Sequence, residues 1–220
     1  MTISPARPSD LEPALSCFTG AFAGEATMRL FFSQAPQGRE AATAEMFRLL
    51  LSSRLETGAP VLVWREAGAG IGGVVMGYPC AAPEMPARIA EGWTALETGV
   101  PRLTDRFSIY DQVTARFVPE RPLWYLGALA VDPSLQGRGI GRALVEAFCA
   151  LADADPGSDG THLETAEPDN LPFYARCGFR VLGGAPVDGT TIWCLLRDRP
   201  GRGPGARPEG DAPGRPEARG

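Results

Sequence analysis

Lysine is missing altogether: all 21 basic residues in this 220-residue chain are arginine. Together with abundant Gly, Pro and Ala, that reads as base-composition bias of the genome and says little about function. A basic excess is missing too, since 21 basic residues face 26 acidic ones for a net charge of −5. No positive field is available to gather phosphates along a surface, which excludes a dedicated nucleic-acid binder and leaves small molecules or proteins as substrates. No apolar run approaches the roughly 20 residues that cross a bilayer. The opening MTISPARPSD has no basic segment followed by an apolar core, so a cytoplasmic protein without membrane attachment is expected. Cysteine is sparse and scattered: Cys17, Cys80, Cys149, Cys177 and Cys194 are odd in number and never form C-x-x-C. A disulfide framework and a zinc site are both excluded on that ground, and the thiols are expected reduced and mostly buried.

What is present suits one globular unit, because 44% apolar and 21% charged residues can bury a substantial core. The unit is expected to span residues 1–198. From Arg199 to Gly220 there are 6 Gly and 5 Pro but no Val, Ile, Leu, Phe, Tyr or Trp. Such a segment cannot offset its ordering entropy by burial and is expected to be a disordered tail.

Periodicity predicts a short strand at Ile3, then a helix capped by Ser9 and running to residue 23, then helices over 26–33 and 39–56, the last stopped by Gly58. VLVWRE and IGGVVMGY flank AGAG and predict an antiparallel hairpin. Helices over 84–96 and 103–117 lead into a strand over 123–131, a helix over 139–154, a strand over 161–165, a short helix over 171–177 and two closing strands. That order predicts an α/β class fold, a mixed sheet with helices on its faces.

The most informative stretch is Q-G-R-G-I-G-R-A-L, Gln136 to Leu144, between a strand and a helix. Gly137, Gly139 and Gly141 let the backbone turn its N–H groups toward one point, at the positive end of a helix dipole, where a pyrophosphate is the natural guest. Arg138 and Arg142 add charge beside it, and Ile140 completes the loop. The spacing is neither G-x-x-x-x-G-K-[ST] nor G-x-G-x-x-G, so kinase and nicotinamide readings fall away.

In this setting the residues resemble the GNAT superfamily of N-acetyltransferases, whose acyl-CoA loop reads [RQ]-x-x-G-x-[GA]; Gln136, Gly139 and Gly141 satisfy it, after D-P-S-L at 132–135. A second motif, L-E-T-A-E-P-D-N-L-P-F-Y-A-R-C-G-F from Leu163 to Phe179, also resembles the family's. More narrowly, that stretch, T-I-W-C at 191–194, A-F-A near Ala21 and R-P-L-W-Y-L at 121–126 are similar to the puromycin N-acetyltransferase group. The resemblance implies a mostly antiparallel sheet with one parallel strand pair at the CoA cleft. It implies acetyl-CoA as cosubstrate, no metal, and a monomer or homodimer. By the same resemblance the backbone of Leu129, Ala130 and Val131 would pair with the pantetheine amides, Asn170 would open a short helix, and Tyr174 would face the CoA sulfur.

The chemistry so implied needs a proton acceptor for the amine, an oxyanion donor and a proton donor for the thiolate, the last assigned to Tyr174. The family often places a carboxylate on the strand before the loop, but this chain has Gly127 and Ala128 there. Glu164 is the leading substitute, with Glu25 and Asp111 as others; His162 shares a strand face with Glu164 by period 2. Of the aromatic residues that could line an acceptor pocket, Trp124 is expected foremost, then Trp93 and Tyr125, with Tyr110 last, while Phe31 and Phe32 are expected in the core. The acceptor is expected to be an amine on a small molecule, with a protein amine or a non-catalytic acyl-CoA-binding module as alternatives.

Overall fold

A computed structural model describes residues 2–66 and 70–201, in which three helices follow the first strand before the sheet is built up. β1 (Thr2–Pro5) leads to α1 (Leu11–Phe22), α2 (Ala26–Phe32) and α3 (Arg39–Thr57). Ser9 does not cap α1. It lies inside a 3-10 turn over Pro8–Asp10, and α1 starts from Asp10 without a side-chain cap bond, the Asp10 carboxylate instead accepting from the Arg7 backbone N–H at 2.7 Å and pairing with Arg65 at 2.5 Å. Gly58 ends α3 in the left-handed region, φ 71°, where a side chain would be strained.

The hairpin forms as β2 (Val61–Arg65) and β3 (Ile71–Tyr78); residues 67–69 of its turn lie outside the described residues. α4 (Ala87–Gly99) starts three residues later than position 84, behind Pro86, whose ring has no N–H to offer a helix interior. α5 (Leu103–Phe117), β4 (Trp124–Val131), α6 (Ile140–Ala154), β5 (Gly160–Thr165), α7 (Leu171–Arg176), β6 (Arg180–Val187) and β7 (Thr190–Asp198) complete the described fold.

The strands form one mixed sheet in the order β1-β2-β3-β4-β5-β7-β6, antiparallel throughout except for β4 and β5. Each face carries its own core. On one, Phe18 stacks on Phe47 at 4.7 Å and Val74, Met76 and Ile192 meet the N-terminal helices; on the other, Leu144, Val145 and Phe148 of α6 cover Val75, Leu126 and Leu163. Two faces buried against helices explain why β2 and β3 are continuous apolar runs and do not alternate. Arg199, assigned from composition to the tail, is tied to the domain: its N–H donates to the Asp159 carbonyl at 2.9 Å and its guanidinium to the Asp155 carbonyl at 2.8 Å. The rest of the expected tail, from residue 202, lies outside the described residues.

Candidate active site

Period 2 would send Trp124, Leu126, Ala128 and Ala130 of β4 to the same face. Instead Trp124 and Leu126 join the core under α6, while Ala128 and Ala130 join the opposite one. The switch occurs because Ala128 pairs with Met76 and Leu126 with Gly77, leaving Gly127 without a partner in the ladder, a β-bulge. On its other edge β4 meets β5 only at Trp124↔Thr161 and Tyr125↔His162. Beyond Tyr125 the two strands share no ladder, and a cleft of ≈1310 Å³ opens between them. Main-chain groups along that edge of β4 are left to be satisfied by something else.

At the α6 end, the loop is held from within. The Asp132 side chain accepts from the Ser134 backbone N–H at 2.8 Å, and the Gln136 amide donates to the Val131 carbonyl at 3.3 Å. Gly137 and Gly139 adopt φ 76° and 79°, and Gly139 is the residue from which α6 starts. Gly141 has no such need; an added Cβ would sit 3.5 Å from Phe173 and from Val131, so its bareness keeps the floor of the cleft open. Every residue expected to hold the cofactor lines this cleft except Ala130 and Arg138. Ala130 is buried in the core, and the Arg138 side chain turns away to Glu66 at 3.4 Å.

Tyr174 lines the middle of the same cleft, buried, with Phe173 and Phe179 packed edge-on against its ring at 5.0 and 5.9 Å. Burial, and after it the nearby Cys177 and Glu25, raises its phenol pKa, so the hydroxyl keeps its proton across the working range and is a donor.

At the other end, Glu25, Asp111 and Glu164 all line the cleft. The Glu164 side chain is 2% exposed; its Oε1 lies 3.3 Å from Nδ1 of His162 but out of line for a hydrogen bond, and neither atom has another partner. His162 stacks on Tyr125 at 5.0 Å. Burial, and then the Glu164 carboxylate, pushes the phenols of Tyr110 and Tyr125 well above the usual range. The same two causes raise Asp111. Glu25 caps α2, accepting from the N–H groups of Thr27 at 2.7 Å and Met28 at 3.1 Å; burial outweighs those donors and raises it.

These observations explain the absent carboxylate on β4. A Cβ on Gly127 would stand 3.0 Å from the Tyr125 ring and 3.2 Å from Nη2 of Arg54. Arg54, on α3, is 1% exposed; it donates to the carbonyls of Gly77 at 3.1 Å and Leu50 at 3.0 Å and lies 3.9 Å over the Tyr78 ring. A side chain at 127 would crowd both groups, and the buried carboxylate of Glu164 lines the cleft from β5.

Residues 104–181 match the acetyltransferase (GNAT) domain family. The peptidyl-lysine N-acetyltransferase YjaB of Salmonella typhimurium is 31% identical over 96 residues, 36% of this chain and 63% of that protein. The chain thus spans under two thirds of that curated relative. Among solved structures, histone acetyltransferase HPA2 and related acetyltransferase from Corynebacterium glutamicum superposes with a TM-score of 0.66 at 27% identity, covering 94% of this chain and 98% of that one. The mosquito arylalkylamine N-acetyltransferase like 5b shares the fold, with a TM-score of 0.61 at 17% identity over 90% and 99% of the two chains. The chain has the GNAT acetyltransferase fold.

The family match runs from α5 to the start of β6, so it contains the glycine loop, Glu164 and Tyr174; of the helices that wall the far end of the cleft it takes in α5 and leaves out α2 and α4. In this fold the expected ranking of aromatic residues is reversed. Trp124 faces α6, packs on Phe148 at 5.7 Å and donates its indole N–H to Asp155 at 2.8 Å, whereas Tyr110, Tyr125 and Trp93 line the cleft. The bulge is the reason: it sends residues before and after Gly127 to opposite faces, which alternation alone cannot reveal. Phe32 is core as expected; Phe31 is both core and cleft wall. All five cysteines are free and only Cys80 is exposed. Among the described residues no helix is long and apolar enough to cross a membrane, and no group of three His, Cys, Asp or Glu could hold a metal.

Proposed function

We propose that this protein transfers an acetyl group from acetyl-CoA to an amine of a small molecule. The observation that carries the reading is one continuous cleft that joins a free strand edge and a glycine-started helix to a buried carboxylate whose Oε1 has no hydrogen bond, with the Tyr174 hydroxyl along the way. Acetyl-CoA would supply the thioester carbonyl, its pyrophosphate held by the 136–142 loop and its pantetheine by the edge of Leu129 to Val131. Glu164 would take the proton that the amine must lose, directly or through water. A backbone N–H of β4 would hold the carbonyl oxygen as charge builds on it, a donor fixed in advance and so costing no reorganisation. Tyr174 would deliver a proton to the departing sulfur. Free thiols and the need for acetyl-CoA fit a cytoplasmic protein.

A protein lysine as acceptor is the second reading, favoured by the name of the curated relative. The third, an acyl-CoA-binding module without turnover, would draw on the bare β4 position, yet Glu164 and Tyr174 supply both proton roles. The test is thiol release from acetyl-CoA with small amines, puromycin among them, and with a lysine-containing peptide. Saturable release with a small amine is expected. Release with the peptide alone would overturn the small-molecule acceptor, and tight CoA binding without release on the whole panel would overturn transfer itself. Because the chain has no lysine, peptide acetylation can be read without background from acetylation of its own side chains.

A further inference from the structure

The far end of the cleft has a composition of its own. Five carboxylates line the cleft, those of Glu25, Glu97, Asp111, Glu164 and Glu167, the last accepting from the Ala26 N–H at 2.7 Å with Arg29 at 3.7 Å, while the two basic residues that line it, Arg142 and Arg176, belong to the loop and α7. Glu25 is spent on capping α2 and Glu97 accepts from Thr104, but the Oε1 of Glu164 is buried without a hydrogen bond and Asp111 stands exposed at the rim. Two guanidiniums, Arg54 and Arg106, stand behind this wall; neither lines the cleft, and both give their N–H groups to backbone carbonyls. The His162 ring, 3.3 Å away, is the one basic group beside Glu164 among the described residues; a buried carboxylate oxygen without a hydrogen bond is costly, and a guest that brings a cation relieves the cost.

The walls between those carboxylates are aromatic. Phe31 meets Phe107 edge-on at 4.7 Å and Tyr110 at 5.4 Å, and Trp93 meets Phe107 at 5.9 Å. The buried Nε1 of Trp93 has no partner. Met85 closes one side as a flexible apolar residue, 40% exposed. Such a lining favours rings, which pack edge-on, and tolerates an ammonium over their faces.

We propose that the acceptor is a primary amine carried as one ammonium on an apolar, ring-bearing body, with no anionic group beside it. The inference rests on the acetyl-transfer reading above and narrows it. A free amino acid is disfavoured because its carboxylate would face the Glu164 and Asp111 charges; its amide or ester is not. A straight alkylamine has the cation but leaves the aromatic wall uncovered.

The experiment compares 2-phenylethylamine, phenylalaninamide, phenylalanine and propylamine by thiol release and, independently, by calorimetry on the CoA-loaded protein. The first two should exceed the last two by at least about tenfold in kcat/KM and in affinity. Asp111→Asn, at an exposed position that folding does not need, should narrow the gap between phenylalanine and its amide by about threefold while leaving acetyl-CoA affinity unchanged. Equal rates and affinities for phenylalanine and its amide would overturn the charge argument, as would an unchanged gap in Asp111→Asn; propylamine equal to phenylethylamine would overturn the ring argument. Ordered amine binding without thiol release would sink the transfer reading and leave the acceptor class standing.

Discussion

At the α6 end of the cleft the groups offered to a ligand belong to the main chain, the free edge of β4 and the start of a helix, whereas at the α5 end every group is a side chain brought in from a different element. The first arrangement is fixed by a few residues close in sequence: the glycines at 137 and 139, the Asp132 and Gln136 hydrogen bonds, and the bulge. The second is assembled from α2, the consecutive helices α4 and α5, and β5, three parts separated by long stretches of chain. Backbone geometry can be kept while side chains vary. The α6 end is therefore suited to a constant cosubstrate, and the α5 end to an acceptor particular to this protein.

That contrast can be tested where the two ends meet. Tyr174→Phe keeps the ring between Phe173 and Phe179 and removes only the hydroxyl. If the hydroxyl serves the thiolate, kcat should fall by about 10²-fold with acetyl-CoA affinity nearly unchanged. Single-turnover kinetics and calorimetry check this, and a fall below about threefold would leave Tyr174 a packing residue. A smaller effect, confined to one end, is expected from Gly139→Val. The position is left-handed at φ 79°, which a β-branched residue resists, so acetyl-CoA affinity should drop by at least about tenfold while the preference among amines stays the same. Calorimetry with acetyl-CoA on the folded variant would show it. The smallest effect belongs to the opposite rim. Met85→Ala removes a partly exposed apolar side chain, and should raise KM for an aryl amine by no more than about threefold with acetyl-CoA untouched. An effect on acetyl-CoA binding would mean that the two ends are not separable.

The same contrast accounts for what the sequence disclosed. The glycine loop, its flanking strand and helix, and Tyr174 lie within one short stretch, so local pattern and family resemblance both reach them. Two features, one in that stretch and one packed behind it, were not legible. A bulge leaves no mark in W-Y-L-G-A-L-A-V beyond one glycine, and it is the bulge that sends Trp124 under α6 and Tyr125 into the cleft. Arg54 reads as an ordinary polar residue of an amphipathic helix, and only the packing of α3 on the sheet turns it inward. At the α5 end Glu25, Asp111 and Glu164 could be named as isolated carboxylates, but their meeting around one cavity depends on tertiary placement. Ser9 failed as a cap for a simpler reason: a 3-10 turn over Pro8–Asp10, closed by the Asp10 carboxylate on the Arg7 N–H, takes it up and delays the helix to Leu11.

The guanidinium behind Gly127 also limits how this chain could change. A carboxylate introduced at 127 would arrive within reach of Arg54, a buried cation whose charge no carboxylate offsets, and would be captured in an ion pair before it could accept a proton from an amine. Moving the base from β5 to β4 therefore takes at least two coordinated substitutions, one on the strand and one on α3. Each alone leaves either a crowded strand or an empty space beneath the Tyr78 ring. If Glu164 is the base, as proposed, two ways of handling the same proton are thus separated by an intermediate worse than either, a local ridge in sequence space.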